Sequence, residues 1–202
     1  MKIIKKMALL VFLSGIAFLS LSAQAATIFG DPKGDITIVE YLDYNCPICR
    51  EYTPLLAYFV SQNKGIKVIQ RVVPILSIES VFVDSAVLAS IKQNKFVSMQ
   101  NEILMVDDPE TIPTDEVLAI AEHIGLNREQ LLSDMQSTEI QQQLQENSKA
   151  YDATGQKAVP VTVIYLNDKP EQAITLLGYQ EIGTLQAAVN QLRAKEDDHA
   201  AH

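Results

Sequence analysis

The sequence predicts an α/β fold in which a central mixed sheet is interrupted by an inserted helical subdomain. Two β-type runs lie near the start of the chain and two near its end, and roughly 80 residues of helical periodicity separate them. The predicted order is therefore βαβ, a helical block, then ββα. Two short α/β halves around a helical block favour one mixed sheet with a helical cap.

The first half begins with a turn over residues 30–35, rich in Gly, Asp and Pro. Residues 36–42 form the first predicted strand, and residues 66–73 form the second, which ends before Pro74. Between them, a helix ending near Ser61 is predicted to present one apolar face, made of Ile48, Tyr52, Leu55 and Phe59. Pro54 lies inside this helix and is expected to kink it.

The helical insertion is predicted to span about residues 77–155. Its helices are expected over 80–94, 96–105 and 114–123, followed by one that begins at Asn127 and one that ends near Gly155. Strands over 161–166 and 173–178 form the predicted second half, with a last helix from Ile182. One domain of residues 26–194 results, and the charged residues 195–202 are expected to be a disordered tail.

The first 25 residues have the pattern of a secretory signal peptide. Three lysines precede an apolar stretch from Met7 to Leu21, and Ala23-Gln24-Ala25 matches the small-residue cleavage pattern. The alternative is an uncleaved anchor, but about 15 apolar residues are short for a bilayer span. The sequence thus predicts an exported protein, in a compartment where disulfides persist.

The charge of the chain argues against nucleic acid as a partner. Residues 1–25 hold three lysines and no acidic residue, so 13 basic and 25 acidic residues remain after cleavage, a formal charge of −12. Binding to nucleic acid needs clustered Lys and Arg that neutralise phosphates.

The only two cysteines of the chain form a Cys46-Pro47-Ile48-Cys49 motif between the first strand and the first helix. The N–H groups and the dipole at a helix N-terminus stabilise a thiolate on the first cysteine. The second cysteine lies one helical turn away, within reach for a small disulfide. Because a thiolate is the nucleophile of thiol–disulfide exchange, the motif predicts a redox-active pair.

A structural disulfide and a metal site are the alternatives for these cysteines. A disulfide across so short a loop constrains the unfolded chain very little. A structural zinc needs four ligands, and the chain otherwise offers only His123 and the two tail histidines, His199 and His202. We therefore expect no metal and no cofactor.

Glu40 lies six residues before Cys46, in the first predicted strand. Strand alternation places it on one face with Ile36, Ile38 and Leu42, which predicts that it is buried. A buried carboxylate near Cys49 can accept and return the proton of that thiol. The alternative is an ordinary surface residue of the strand.

Cys-Pro-x-Cys after the first strand, a proline before the third strand and a helical insertion together resemble the DsbA family of exported dithiol oxidases, which have a thioredoxin-like fold. The resemblance covers residues 29–194. It implies that Cys46 is the reactive cysteine, Cys49 the resolving one and Glu40 a buried acid beneath them. It also implies that Pro54 kinks the helix and that Pro160 follows a cis peptide bond and packs on the cysteines.

The resemblance further implies a substrate-binding surface made of Val159, Pro160, Pro47 and Ile48. The backbone at Val159 would pair with an extended substrate peptide. The alternative for Pro160 is an ordinary trans proline in a loop, which the residues alone would favour, since few X–Pro bonds are cis. Phe96, Met99 and Met105 would line a hydrophobic groove, unless they are ordinary core residues.

One position departs from the family pattern, in which Pro-His commonly separates the cysteines. Ile48 stands where the histidine would donate a hydrogen bond to the Cys46 thiolate. The pKa of Cys46 is therefore expected to be lowered less, which makes the pair a weaker oxidant.

The sequence thus predicts an exported protein thiol–disulfide oxidoreductase, located in the periplasm, that introduces disulfides into reduced or unfolded exported proteins. The resemblance implies reoxidation by a membrane quinone-linked oxidase. Two alternatives remain. One is a disulfide reductase or an isomerase, although isomerases of this kind usually carry an N-terminal dimerisation segment. The other is a chaperone that acts without its thiols.

Overall fold

The computed structural model describes residues 27–107 and 111–200, with side chains described as far as residue 194. Its strands are β1 (Ile28–Gly30), β2 (Ile36–Leu42), β3 (Ile66–Val72), β4 (Val161–Leu166) and β5 (Ile174–Leu177). Its helices are α1 (Pro47–Gln62), α2 (Ile78–Ala89), α3 (Phe96–Leu104), α4 (Thr114–His123), α5 (Arg128–Met135), α6 (Thr138–Asp152) and α7 (Ile182–Ala200). Short 3₁₀ turns cover Ser90–Gln93 and Pro170–Gln172. The predicted signal peptide lies outside the described residues.

The five strands form one mixed sheet in the order β1-β3-β2-β4-β5. Strand β2 runs parallel to β3 and antiparallel to β4, so it lies at the centre and is buried along its whole length. Strand β1 pairs antiparallel with β3 and forms an edge of the sheet. The predicted mixed sheet with an inserted helical subdomain, α2 to α6, is confirmed.

The sheet separates two hydrophobic cores. On one face, α1 and α7 pack against Ile36, Ile38, Val68 and Ile164. On the other face, the helical insertion packs against Val39, Tyr41, Val72 and Val161. Both faces of β2 are therefore covered, which is why its sequence is almost continuously apolar.

The apolar face of α1 differs from the predicted one. Tyr52 and Phe59 are buried as expected, but Leu55 is only half-buried and Ile48 is 49% exposed. Cys49, Thr53 and Leu56 complete the buried face instead. This face meets polar partners in the sheet. The Thr53 hydroxyl donates to Glu40, and the Tyr52 hydroxyl bonds to that of Thr162.

One strand and the end of one helix also differ from the sequence analysis. Strand β1 was not predicted; its three residues are too few for a periodicity to be recognised, and its pairing with β3 is distant in sequence. Helix α7 continues to Ala200, past the boundary at residue 194 where a disordered tail was expected. Ala, Lys and Glu in this segment have high helix propensity.

None of the described helices is both long enough and apolar enough to cross a membrane.

Candidate active site

The two cysteines lie at the N-terminus of α1, at the edge where the parallel strands β2 and β3 end. Cys46 is the N-cap of the helix, and its Sγ accepts a hydrogen bond from the Cys49 N–H at 3.4 Å. Pro47 occupies the first turn, where no N–H is needed. Both cysteines are free thiols, with 5% of Cys46 and none of Cys49 exposed. A reagent from solvent therefore meets Cys46 first.

The two thiols have opposite acidities. The pKa of Cys46 is lowered to about 7, chiefly by the hydrogen bond from Cys49 and by backbone N–H groups of the first turn, against the effect of burial. Burial raises the pKa of Cys49 well above its usual value, and the neighbouring Cys46 raises it further. The pair therefore ionises at Cys46 and holds its proton at Cys49, as the helix geometry predicts.

The Val159–Pro160 peptide bond is cis, as the resemblance implied. The Cys46 thiol lies 3.7 Å from the carbonyl oxygen of Val159, a contact between positions 113 residues apart. Pro160 is held in place through its own carbonyl, which accepts from the Gly178 N–H at 2.8 Å. The structure thus brings together four predicted substrate-binding residues: Val159 and Pro160 beside the sulfur, and Pro47 and Ile48 exposed on the first turn of α1.

Glu40 is fully buried beneath the cysteines, as predicted. Its Oε1 accepts from the Thr53 hydroxyl at 2.6 Å, and its Oε2 accepts from the Gln70 amide at 3.0 Å. Burial raises the pKa of Glu40 to about 7, although both hydrogen bonds oppose the shift. Its charge contributes to the raised pKa of Cys49, so the acid and the resolving thiol interact.

A cavity of about 430 Å³ adjoins the two hydrogen-bond partners of Glu40. Thr53 and Gln70 form part of its wall, and Gln100 of α3 donates to the Gln70 Oε1 at 2.8 Å. Phe29 and Leu104 belong to its apolar wall. The polar groups around the buried acid therefore reach a space open to solvent at the side of the sheet.

The predicted groove of Phe96, Met99 and Met105 is not one surface. Met99 is buried in the core of the insertion, Phe96 is buried but lines the cavity of about 430 Å³, and Met105 is 79% exposed beyond the end of α3. Periodicity places side chains on a helix face but does not say whether that face meets solvent.

Sequence reasoning missed the residues that hold the loop before Cys46. Asp43 and Asn45 are completely or almost completely buried there and bond to the insertion and to the loop after β3. The Asn45 Oδ1 accepts from the Ile112 N–H at 2.9 Å. A signal was present: Asp and Asn directly after a strand commonly fix a turn through their side chains.

No three His, Cys, Asp or Glu side chains among those described lie close enough together to hold a metal ion.

A thioredoxin family model matches residues 22–182, most of the chain. The chain belongs to the thioredoxin family. A thioredoxin-like oxidoreductase from Silicibacter pomeroyi DSS-3 is similar in structure, with a TM-score of 0.74 and 27% identity over 87% of this chain and 99% of that one. Pseudomonas aeruginosa DsbA2 is also similar, with a TM-score of 0.70 and 22% identity over 83% of this chain and 93% of that one. The thiol-disulfide exchange protein alpha-DsbA2 from Wolbachia pipientis has a TM-score of 0.68 and 20% identity over 82% of this chain and 86% of that one.

No curated protein sequence matches the chain. The family match confirms the thioredoxin family, and the structural neighbours confirm the predicted thioredoxin-like fold. With its Cys46–Cys49 pair at the head of α1, the protein is a thiol–disulfide oxidoreductase.

Proposed function

We propose that this protein is an exported dithiol oxidase that transfers a disulfide to reduced or unfolded exported proteins. The observation that carries the proposal is the geometry of the pair: the Cys46 Sγ caps α1 and accepts from the Cys49 N–H at 3.4 Å, whereas Cys49 is fully buried. A stabilised Cys46 thiolate favours the reduced form of the pair, and a pair that prefers to be reduced oxidises its partner.

The reaction starts from the oxidised pair. A substrate thiolate attacks the Sγ of Cys46, the Cys46–Cys49 bond breaks and Cys49 leaves as a thiolate. A second substrate thiolate then attacks the substrate sulfur of the mixed disulfide, and Cys46 leaves as a thiolate. Two electrons pass from the substrate to the pair, and the substrate leaves with a disulfide.

Glu40 is proposed as the proton donor and acceptor for Cys49. A carboxyl with a pKa of about 7 is protonated in part near neutral pH, so it can give a proton to the leaving thiolate and accept it later. The cavity beside Thr53 and Gln70 supports this role, because it offers a path by which the proton reaches solvent.

Val159, Pro160, Pro47 and Ile48 are proposed to bind the substrate. An extended peptide that pairs with the backbone at Val159 would pass the Cys46 sulfur, which lies 3.7 Å from the Val159 oxygen. The exposed side chain of Ile48 offers this peptide an apolar contact. These contacts are mostly to main chain, which suits an enzyme with many unfolded substrates.

Export to the periplasm is proposed from the signal-peptide pattern of residues 1–25. Each disulfide that an oxidase transfers leaves its own cysteine pair reduced, so the pair must be reoxidised before the next reaction. A membrane quinone-linked oxidase, as in the DsbA family, is the proposed partner for this step.

A reductase is the second candidate, and the acidity of Cys46 favours it. The reactive cysteine of thioredoxin, a reductant, has a pKa of about 7, whereas that of the strong oxidant DsbA is about 3.5. The value of about 7 for Cys46 lies at the reducing end of this range.

Equilibration of the purified protein with glutathione buffers of known ratio separates the two candidates. We expect a potential above that of thioredoxin, about −270 mV, and towards that of DsbA, about −120 mV. A potential at or below the thioredoxin value would overturn the oxidase. Cys46→Ser and Cys49→Ser are the matched variants, and their double variant tests for a chaperone, which would keep its activity.

A further inference from the structure

The loop between β2 and Cys46 is held by a buried carboxylate. Asp43 is fully buried, and its Oδ1 accepts from the Asn45 N–H at 2.9 Å. Its Oδ2 accepts from two backbone N–H groups of the loop after β3, those of Ile75 at 3.0 Å and Leu76 at 3.1 Å. The main-chain oxygen of Asp43 accepts from the Cys46 N–H at 2.9 Å. One residue therefore joins the redox loop to its neighbour.

A second buried acid lies beside the first. Asp84 of α2 is fully buried, and its Oδ1 accepts from the Tyr44 N–H at 3.0 Å. Its Oδ2 has no hydrogen-bond partner among the described residues. The two carboxyl groups interact, because the charge of Asp43 adds to the effect of burial in raising the pKa of Asp84 well above its usual value.

The hydrogen bonds indicate which of the two acids carries a negative charge. Three backbone N–H groups point at the Asp43 carboxylate, and donors to the charged form favour that form. An ionised Asp84 would instead bury a charge with one oxygen unpaired, which is costly. Burial raises the pKa of both acids, but that of Asp84 is raised further, so Asp43 is the ionised member and Asp84 the protonated one.

We propose that Asp43 is a positioning residue of the redox site, whose fixed negative charge opposes the Cys46 thiolate and makes the pair a weaker oxidant than the helix N-terminus alone would. This inference rests on the proposed function, since it concerns the potential of the same pair. The location carries it: the carboxylate is three residues from Cys46, shielded from water, and immobilised by the N–H groups of two loops.

The acidity of Cys46 agrees with this location. The hydrogen bonds from Cys49 and the first turn of α1 lower the pKa of Cys46, whereas burial and, to a smaller extent, the charge of Asp43 raise it. Tyr44, within the loop itself, is also ionisable, and its buried hydroxyl accepts from the Gln100 amide at 2.9 Å. Two further charged or ionisable groups lie at the loop. The Arg50 guanidinium donates to the Tyr44 carbonyl oxygen at 3.1 Å, and the Cys49 thiol holds its proton. Both residues are kept in a variant that replaces Asp43.

The test compares Asp43→Asn with Asp84→Asn in the full protein. The pKa of Cys46 is read from the pH dependence of its alkylation, and the potential from glutathione equilibration. Asp43→Asn is expected to lower the pKa of Cys46 by up to about one unit, which raises the thiolate fraction at low pH by up to about tenfold. Its disulfide becomes more oxidising. Asp84→Asn replaces a neutral group by a neutral group of the same shape, so neither quantity should change.

An unchanged or higher pKa of Cys46 in a folded Asp43→Asn variant overturns the inference, as does an equal shift in Asp84→Asn. If Asp43→Asn does not fold, Asp43→Ser keeps an oxygen for the Asn45 N–H and removes the same charge. Carbon-13 NMR of the aspartate carboxyls in the unaltered protein adds a direct reading, and a protonated Asp43 at pH 7 would also overturn it. Alkylation at Cys49 first would instead refute the proposed function, so the two failures are distinguishable.

Discussion

Ile48 lies beside the reactive sulfur with half of its side chain exposed, and this side chain has no group that can donate a hydrogen bond to that sulfur. The acidity of Cys46 therefore comes from Cys49 and the backbone, with burial and, to a smaller extent, Asp43 acting against it. Position 48 is thus one where the redox potential of the pair can be changed without disturbing the core.

Ile48→His is expected to lower the pKa of Cys46 and to make the disulfide more oxidising, because an imidazolium stabilises the neighbouring thiolate. Glutathione equilibration measures the potential, and the effect should be largest below about pH 6.5, where His is charged. Ile48→Gln is the matched control, since it adds a polar group without charge. A potential that is unchanged or more reducing in Ile48→His would contradict the electrostatic explanation.

Glu40→Gln is expected to stabilise the protein at pH 8 but not at pH 4. The pKa of Glu40 rises from 4.5 to about 7 on folding, so the folded protein binds more protons between these values. The stability contributed by the protonated acid is complete below about pH 4.5 and is lost as the pH rises through 7. The gain is up to roughly 3 kcal/mol.

Urea denaturation at a series of pH values measures this difference. Glu51→Gln, which removes an exposed acid of α1, is the control and should not give the same gain in stability at pH 8. Equal stability of Glu40→Gln and the unaltered protein at pH 8 would contradict a raised pKa. The same variant should slow release of the Cys49 thiolate if Glu40 is its proton partner.

The reactive pair, the buried Glu40 and the proline loop could be predicted from the sequence, because each rests on a local pattern or on a family motif. The roles of Asp43 and Asp84 could not. Asp84 is an acid in a helix, and nothing nearby in the sequence distinguishes it from a surface residue. Its burial depends on β2 and the insertion packing together, a contact 40 residues apart in the chain.

At the scale of elements, the strands and helices with clear periodicity were predicted well, and the errors fall where tertiary contacts decide. Strand β1 exists because β3 offers it an edge, and the buried face of α1 is chosen by polar partners in the sheet. The insertion is joined to the sheet by a polar contact as well as by its core. Asn147 of α6 donates to the Val72 carbonyl oxygen at 3.1 Å and accepts from Arg71 at 3.2 Å.

Asn147→Ala is expected to destabilise the protein by about 1–3 kcal/mol, because it leaves the buried carbonyl at the end of β3 without this donor. Denaturant unfolding measures the loss. Ser148→Ala is the matched control, since among the described residues the Ser148 hydroxyl donates only to the Leu144 carbonyl oxygen of its own helix, at 2.9 Å. Similar losses in both variants would show that the contact between α6 and β3 contributes nothing specific.

For the whole molecule, the potential of the pair and the stability of the fold are linked. A folded state that stabilises the reduced pair must be less stable when the disulfide is present, relative to an unfolded chain in which no such preference exists. If the protein is an oxidase, its reduced form should therefore melt at a higher temperature than its oxidised form.

Calorimetry of the two redox forms at pH 7 measures this difference directly. Cys46→Ser, which is locked without a disulfide, controls for the effect of the reductant and should melt at the same temperature with and without it. An oxidised form that melts higher than the reduced form would favour the reductase.

The sulfur that caps α1 also carries the chemistry, and this double role makes the Cys49 amide an internal reporter of redox state. Its N–H donates to the Cys46 sulfur at 3.4 Å. A thiolate is a strong acceptor, whereas a sulfur in a disulfide is a weak one. Each turnover therefore weakens and then restores the N-cap hydrogen bond from the Cys49 N–H to the sulfur. The nitrogen-15 resonance of Cys49 thus offers a way to follow electron transfer in this protein without an added dye or substrate.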